Sequence, residues 1–299
     1  MKKIKAVIAV VLGFLLLDVC LYFFYPNVAY LRHHRPGKTA FMLYREKQWK
    51  KEGLTGKRII QRWVPYSRIS PYLKKAVLIS EDDRFWHNDG FDFGAIEAAM
   101  VADIKAGRFK FGASTITQQL ARNLYLSPSK NLLRKMKEAI LTWRLNRDLP
   151  KRRILELYLN VAEWGDGIFG IGAASYHYFG KPASALTPME AARLVSILPN
   201  PLRFSPVKPS GFVKRRSRAI YDIMVKRGVV KQLDQAVTMM EKEGPEGLQN
   251  SASSASPATG MSNSSNTALS NSGAGPARQD PKRQQEINQI CPQNQQPSP

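Results

Sequence analysis

The chain has 299 residues, enough for one large or two modest domains, and 43% of them are hydrophobic, as in an ordinary folded protein. Lys and Arg number 45 against 23 Asp and Glu, a formal net charge of +22. Such a field attracts polyanions: nucleic acid, anionic lipid headgroups or phosphorylated substrates. The two cysteines, Cys20 in an apolar run and Cys291 in a polar tail, are not expected to pair, which excludes a disulfide framework and leaves the redox compartment unread.

Residues 6–25, "AVIAVVLGFLLLDVCLYFFY", form an apolar stretch broken only by Asp18. At about 1.5 Å per residue it spans a hydrocarbon core of roughly 30 Å. A cleaved signal peptide is the competing reading, but its apolar region is usually about 7–15 residues long, and no Ala-x-Ala site follows promptly. Asp18 and Val19 also make Cys20 a poor lipoprotein site. The stretch therefore reads as a membrane anchor, with residues 1–5 before it. Lys2, Lys3 and Lys5 flank one side and Arg32, Arg35 and Lys38 the other, so charge barely sets the orientation.

Residues 26–59 read as a juxtamembrane connector and 60–244 as the folded domain. Within that domain "SPYLKKAVLISEDD" opens a helix with Ser70 as cap and Pro71 first. Leu73, Val77 and Ile79 give it a buried side. A second helix is expected over 92–106, closed by Gly107. "GASTITQQLARN" starts a third, capped by Ser114 or Thr115. Residues 129–147 predict a long basic helix with Leu132, Leu133, Met136, Ile140 and Trp143 at helical spacing. Pro150 begins another, and "TPME" is a capping box of Thr187 and Glu190. The last helix covers 211–228 and ends at Gly228. Little alternates with period two, so the fold is expected to be mainly α. From 245 to 299 the chain is Ser, Asn, Ala, Gly, Pro and Gln, its few charges balance, and it reads as a disordered polar tail.

Three stretches carry candidate chemistry. "EDDRFWHNDGFD", 81–92, holds five carboxylates. A calcium loop ending at Gly90 would need an acid where Phe85 stands, and His87 has no second histidine at metal spacing. No metal site is expected there. Asp82, Asp83 and Asp89 fit a solvated loop. Glu81 follows the apolar "AVLIS" at a helix end, where partial desolvation suits a general base. In "GASTITQQLARN" the hydroxyls and amides Ser114, Thr115, Thr117, Gln118, Gln119 and Asn123 are dense; capping does not call for Gln118 and Gln119 together, and such groups at a helix start suit a sugar or phosphate. In "SKNLLRKMKE" Arg134 and Glu138 could form a plain helical pair. Base precedes acid there, however, and Lys130, Arg134, Lys135 and Lys137 outnumber the one glutamate. Surplus cations point to an anionic ligand.

These three stretches, with "KRRILELYLN" at 151–160 and "LPNP" at 198–201, resemble in order the motifs of the peptidoglycan glycosyltransferases. The likeness covers about residues 60–225. It lies in the monofunctional branch, the biosynthetic peptidoglycan transglycosylases. "SPSK" at 127–130 matches a transpeptidase Ser-x-x-Lys, but no Lys-Thr-Gly follows, and the match is treated as chance. The resemblance implies a lysozyme-like α-helical head beside a smaller membrane-facing lobe, held by one N-terminal transmembrane helix. The catalytic domain would lie outside the bacterial cytoplasmic membrane.

The implied substrate is lipid II and the product a β-1,4 glycan strand. The expected partners are the strand, the membrane and other cell-wall synthesis proteins, with no nucleic acid. No cofactor is required, and a divalent cation is compatible. Residue by residue, Glu81 matches the base on the acceptor 4-hydroxyl and Glu138 an assisting carboxylate. Arg122 and Lys130 match cations on the leaving diphosphate, with Arg134 and Lys135 nearby. The family more often has Lys at position 122 and Arg at 130, so charge is kept while bidentate geometry moves. Two other readings stay open. A lysozyme-like hydrolase would not need those cations, and a membrane-tethered polyanion binder rests on charge alone.

Overall fold

The computed structural model describes residues 2–97, 101, 114–129 and 131–230. Lys130, most of the helix expected over 92–106 and the tail 245–299 lie outside the described residues. The described chain is mainly α. Helix α1 spans Lys2–Cys20, α2 Ala40–Lys51, α3 Pro71–Glu81, α4 Ile116–Tyr125, α5 Leu132–Asp148, α6 Lys151–Val161, α7 Ile171–Phe179, α8 Pro188–Ile197 and α9 Gly211–Lys226. Single-turn helices cover Leu21–Phe23, Ala29–Arg32 and Tyr66–Arg68.

Local chemistry sets the helix boundaries. Thr115 caps α4, accepting from Gln118 N, while the Gln118 side chain accepts from Thr115 N. Thr187 and Glu190 close the same box on α8. Asn131 caps α5 through Arg134 N, so that helix starts after "SKN" and not at 129. Ser70 stands at the cap position of α3, but its hydroxyl donates to Leu186 O instead, tying α3 to the start of α8.

α3, α8 and α9 pack together on one side, and α4 lies between α5, α6 and α2 on the other. One core joins them, including Leu73, Val77, Ile116, Leu120, Leu141, Leu155, Trp164, Leu194 and Ile220. A small sheet, order β1–β3–β2, covers one end, with β1 Ile60–Gln61, β2 Glu163–Gly165 and β3 Ile168–Phe169. Such short strands carry no readable alternation. Gly170 follows β3 at φ +77°, and a Cβ there would lie 2.5 Å from Asn160 O. Only glycine allows the turn into α7 so close to α6.

Residues 26–59 hold more structure than a connector needs. Val28, Leu31, Met42 and Trp49 are buried. Arg45 on α2 forms a buried bidentate pair with Glu163 of β2, Nε–Oε1 2.9 Å and Nη2–Oε2 2.8 Å. Burial pushes the Glu163 carboxyl above its ordinary range, and Arg45 opposes that. The segment is thereby fixed to the domain.

Helix α5 splits the apolar residues that stand at helical spacing. Leu132, Met136 and Trp143 are 77%, 44% and 45% exposed. The buried side is Glu138, Leu141, Thr142, Arg144 and Leu145. Of the apolar residues at helical spacing, Leu132, Met136 and Trp143 therefore face outward, while Leu133 and Ile140 are half-buried. Lys2–Phe23 is long and apolar enough to cross a membrane, by length and composition.

Candidate active site

Glu81 ends α3, where the α3–α8–α9 layer meets α4. Its Oε1 accepts from Ser80 Oγ at 3.0 Å and from Arg216 Nη2 at 3.1 Å. Arg216 Nη2 also donates to Ser80 Oγ at 2.7 Å. Oε2 accepts from Gln119 Nε2 at 3.1 Å. Tyr158 of α6 donates its hydroxyl to Gln119 Oε1 at 3.1 Å, which turns the amide nitrogen toward Glu81. Burial pushes the Tyr158 hydroxyl well above its ordinary range, so it remains a neutral donor. Every one of these contacts is a donor aimed at Glu81 or at the groups that hold it. The Glu81 side chain keeps 6% exposure, while that of Arg216 has none.

The rest of the acidic loop is wired to the start of α4. Asp82 is buried, and Oδ2 accepts from Ile116 N at 2.9 Å, at the positive end of the α4 dipole. Oδ1 accepts from Asn88 Nδ2 at 2.8 Å. Asn88 Oδ1 in turn takes Gly90 N and Lys151 Nζ, and Thr115 Oγ1 donates to Gly90 O at 2.7 Å. Burial raises the Asp82 carboxyl to about 6, against the pull of Ile116 N–H, Lys151 and Asn88. Asp82 is thus no solvated loop acid; it latches the loop after Glu81 onto the helix that carries Gln119. Asp83 pairs with Arg227 at the surface.

One helical turn beyond Gln118 stands Arg122. Burial holds its guanidinium below its ordinary value; Glu138 opposes this most strongly, and Glu81 also acts on it. Arg122 therefore sits within the fields of both glutamates. Its Nε is buried without a hydrogen-bond partner among the described residues. Glu138, 2% exposed, has both oxygens occupied: Oε2 by Arg134 Nη1 and Oε1 by Lys135 Nζ. Lys137 turns away and pairs with Asp18, so it is not one of the cations around Glu138.

Comparison with known proteins places the sequence that builds this region in a family. The family model described as Transglycosylase covers residues 49–225, more than half of the chain. A biosynthetic peptidoglycan transglycosylase of Azoarcus sp. strain BH72 is 46% identical over 196 residues, 66% of this chain and 84% of that protein. That of Chromobacterium violaceum is 42% identical over 219 residues, 72% of this chain and 93% of that protein. The chain belongs to the transglycosylase family. It is accordingly an enzyme of glycosyl transfer.

In this transglycosylase the structure brings Glu81, Gln119 and Arg122 together, and Glu138, Arg134 and Lys135 together. Ser114 contributes its carbonyl, which receives Gln119 Nε2 at 3.5 Å. Thr115 and Gln118 are accounted for by the capping box, and Asn123 is buried. Among the described residues no group of three or more His, Cys, Asp or Glu is placed to hold a metal.

Sequence reasoning missed Arg216. The available signal was its position: it shares the buried stripe of α9 with Val213, Ser217, Ile220 and Met224. A charge on an apolar stripe requires a buried partner. Tyr158 was missed as well, although it lies inside "KRRILELYLN".

Proposed function

We propose that this transglycosylase polymerises lipid II into β-1,4-linked peptidoglycan strands and releases undecaprenyl diphosphate. The names of its relatives support peptidoglycan as the product class. The observation that carries the mechanism is the contrast between an acceptor-only carboxylate at Glu81 and clustered cations at Glu138, with Arg122 in the field of both glutamates.

Glu81 takes the proton from the 4-hydroxyl of the acceptor sugar. The freed oxygen attacks C1 of the donor, the bond from C1 to the diphosphate oxygen breaks, and its electron pair leaves with the diphosphate. The anomeric centre inverts. A glycosidase needs an acid to protonate a poor leaving group. Diphosphate is already a good one, and preorganised cations can neutralise its growing charge. Arg122, Lys130, Arg134 and Lys135 take that role. Glu138 keeps Arg134 and Lys135 extended and spaced for it. Ser114 and Asn123 line the sugar path. The chemistry needs no cofactor.

In this reading α1 is a single-pass anchor in the cytoplasmic membrane, and residues 60–244 work on its outer side. The exposed Leu132, Met136 and Trp143 turn toward the lipid. The tail 245–299 takes no part in catalysis. The test is to incubate the full-length chain with lipid II and, separately, with finished peptidoglycan. Polymer from the first and no fragments from the second is the expected result. Fragments without polymer would make the chain a lysozyme-like hydrolase.

A further inference from the structure

Asp18 is the one charge in the apolar run of α1, and the polymerisation mechanism gives it no work. Its Oδ2 lies 2.5 Å from Lys137 Nζ of α5, with side chains 50% and 17% exposed. Lys137 also stands 4.8 Å from the ring centre of Tyr22. Seven residues on, on the same face of α5, Arg144 donates Nη1 to Tyr22 O at 2.9 Å and Nη2 to Phe24 O at 3.2 Å. Between them Trp143 meets Phe23 edge-on, with centroids 6.3 Å apart. Val19 is buried in the same contact region.

An acid in an apolar helix is costly and calls for a partner. Carbonyls at a helix end lack donors and attract cations. α5 supplies both needs from one face. Its next residue, Glu138, turns the other way and holds Arg134 and Lys135. A tether that only raised local concentration would require none of these contacts.

We propose that Asp18 is a docking residue. Through Lys137, with Arg144 gripping the helix end, it locks α1 to α5 and sets the height of the Glu138–Arg134–Lys135 cluster above the membrane. The anchor is then a positioning part of the active site. The proposal rests on the polymerisation reading, because a lipid-borne diphosphate arrives at a fixed height.

The test uses full-length protein in nanodiscs, with Cys20 and Cys291 replaced by Ser. Phe23→Cys and Trp143→Cys report docking through a short bis-maleimide, independently of activity. Asp18→Lys and Lys137→Asp are made singly and together, with and without the cysteine pair. Each single reversal should reduce crosslinking and lower lipid II turnover about tenfold, a coupling of the size that charged neighbours show. The double swap should restore both to within about threefold of the parent. Unchanged turnover in the single variants, or no recovery in the swap, overturns the proposal. A parent chain that crosslinks but never polymerises lipid II sinks the polymerisation reading, and with it the positioning role, while leaving the docking measured.

Discussion

Glu81 and Glu138 are both glutamates held by an arginine, but the two regions are built differently. Glu138 takes its cations from its own helix, Arg134 one turn before it and Lys135 three residues before it. That cluster exists wherever α5 is helical. Glu81 takes its cation from Arg216, 135 residues away, and its other donors from Ser80 and from Gln119 on α4. It is therefore complete only when α3, α4 and α9 are docked. Both oxygens of Glu138 are consumed by full charges, which suits a spacer of cations. Glu81 shares one oxygen between a hydroxyl and a guanidinium and gives the other to a neutral amide, which suits a group that must accept a proton.

The largest effect should separate the two carboxylates. Glu81→Gln keeps size and removes the base, so the initial rate on lipid II should fall by about 10²–10⁴. Circular dichroism should show a folded protein. A variant that kept a tenth of wild-type turnover would reverse the roles assigned to the two regions. Next comes the arginine between them. Arg122→Ala removes a preorganised contact to developing charge and should cost about 10²–10³ in turnover. Near-normal turnover would show that Arg122 is only a bystander of both sites.

Arg216→Gln probes the tertiary character of the Glu81 region. Removing one partner of a buried ion pair costs about 3–5 kcal/mol, because the other charge is left uncompensated. Thermal or denaturant unfolding should show that loss. The double variant Glu81→Gln/Arg216→Gln should be more stable than Arg216→Gln alone. If it is less stable, the pair is not what Arg216 contributes. Glu138→Gln should be milder, about tenfold in turnover, or about 1.4 kcal/mol, since Arg134 and Lys135 remain to hold diphosphate. A dead Glu138→Gln beside an active Glu81→Gln would overturn the comparison.

The two regions also differ in how far the sequence discloses them. Caps and helical pairs are local, so Thr115, Thr187 and the Arg134–Glu138 pair can be read from spacing alone. The chemistry of Glu81 is suggested by the apolar residues before it, but Arg216 is too distant in sequence to be paired with it by pattern. Helix α5 shows a second limit. Leu132, Met136 and Trp143 have the periodicity of a core-facing stripe, and they face outward because Glu138, Thr142 and Leu145 occupy the protein side. Periodicity names an apolar face; it does not say whether protein or lipid covers it. The segment 26–59 reads as a connector because nothing within it points to a partner. Its hold on the domain comes from Arg45 and Trp49 reaching Glu163 and Asp166, more than a hundred residues on.

The smallest effect on catalysis should come from the acid next to Glu81. Asp82 accepts from Ile116 N and Asn88 Nδ2, and it faces the start of α4. In Asp82→Asn one of those donors meets an NH₂ group, a cost of about 1–3 kcal/mol in stability. Turnover should stay within about tenfold, because neither contact touches the Glu81 oxygens. The pH dependence gives a sharper test. Burial raises the Asp82 carboxyl from 3.8 to about 6, so the folded protein binds that proton more tightly than the unfolded chain does. This contribution to stability is full below 3.8 and is lost as pH rises through about 6. Its size is on the order of 2–3 kcal/mol, at about 1.4 kcal/mol per pKa unit. Denaturant unfolding of the wild type and Asp82→Asn across that window should show the variant losing less stability with rising pH. Parallel curves would mean that Asp82 binds its proton equally in the folded and unfolded chains, and that burial does not shift it.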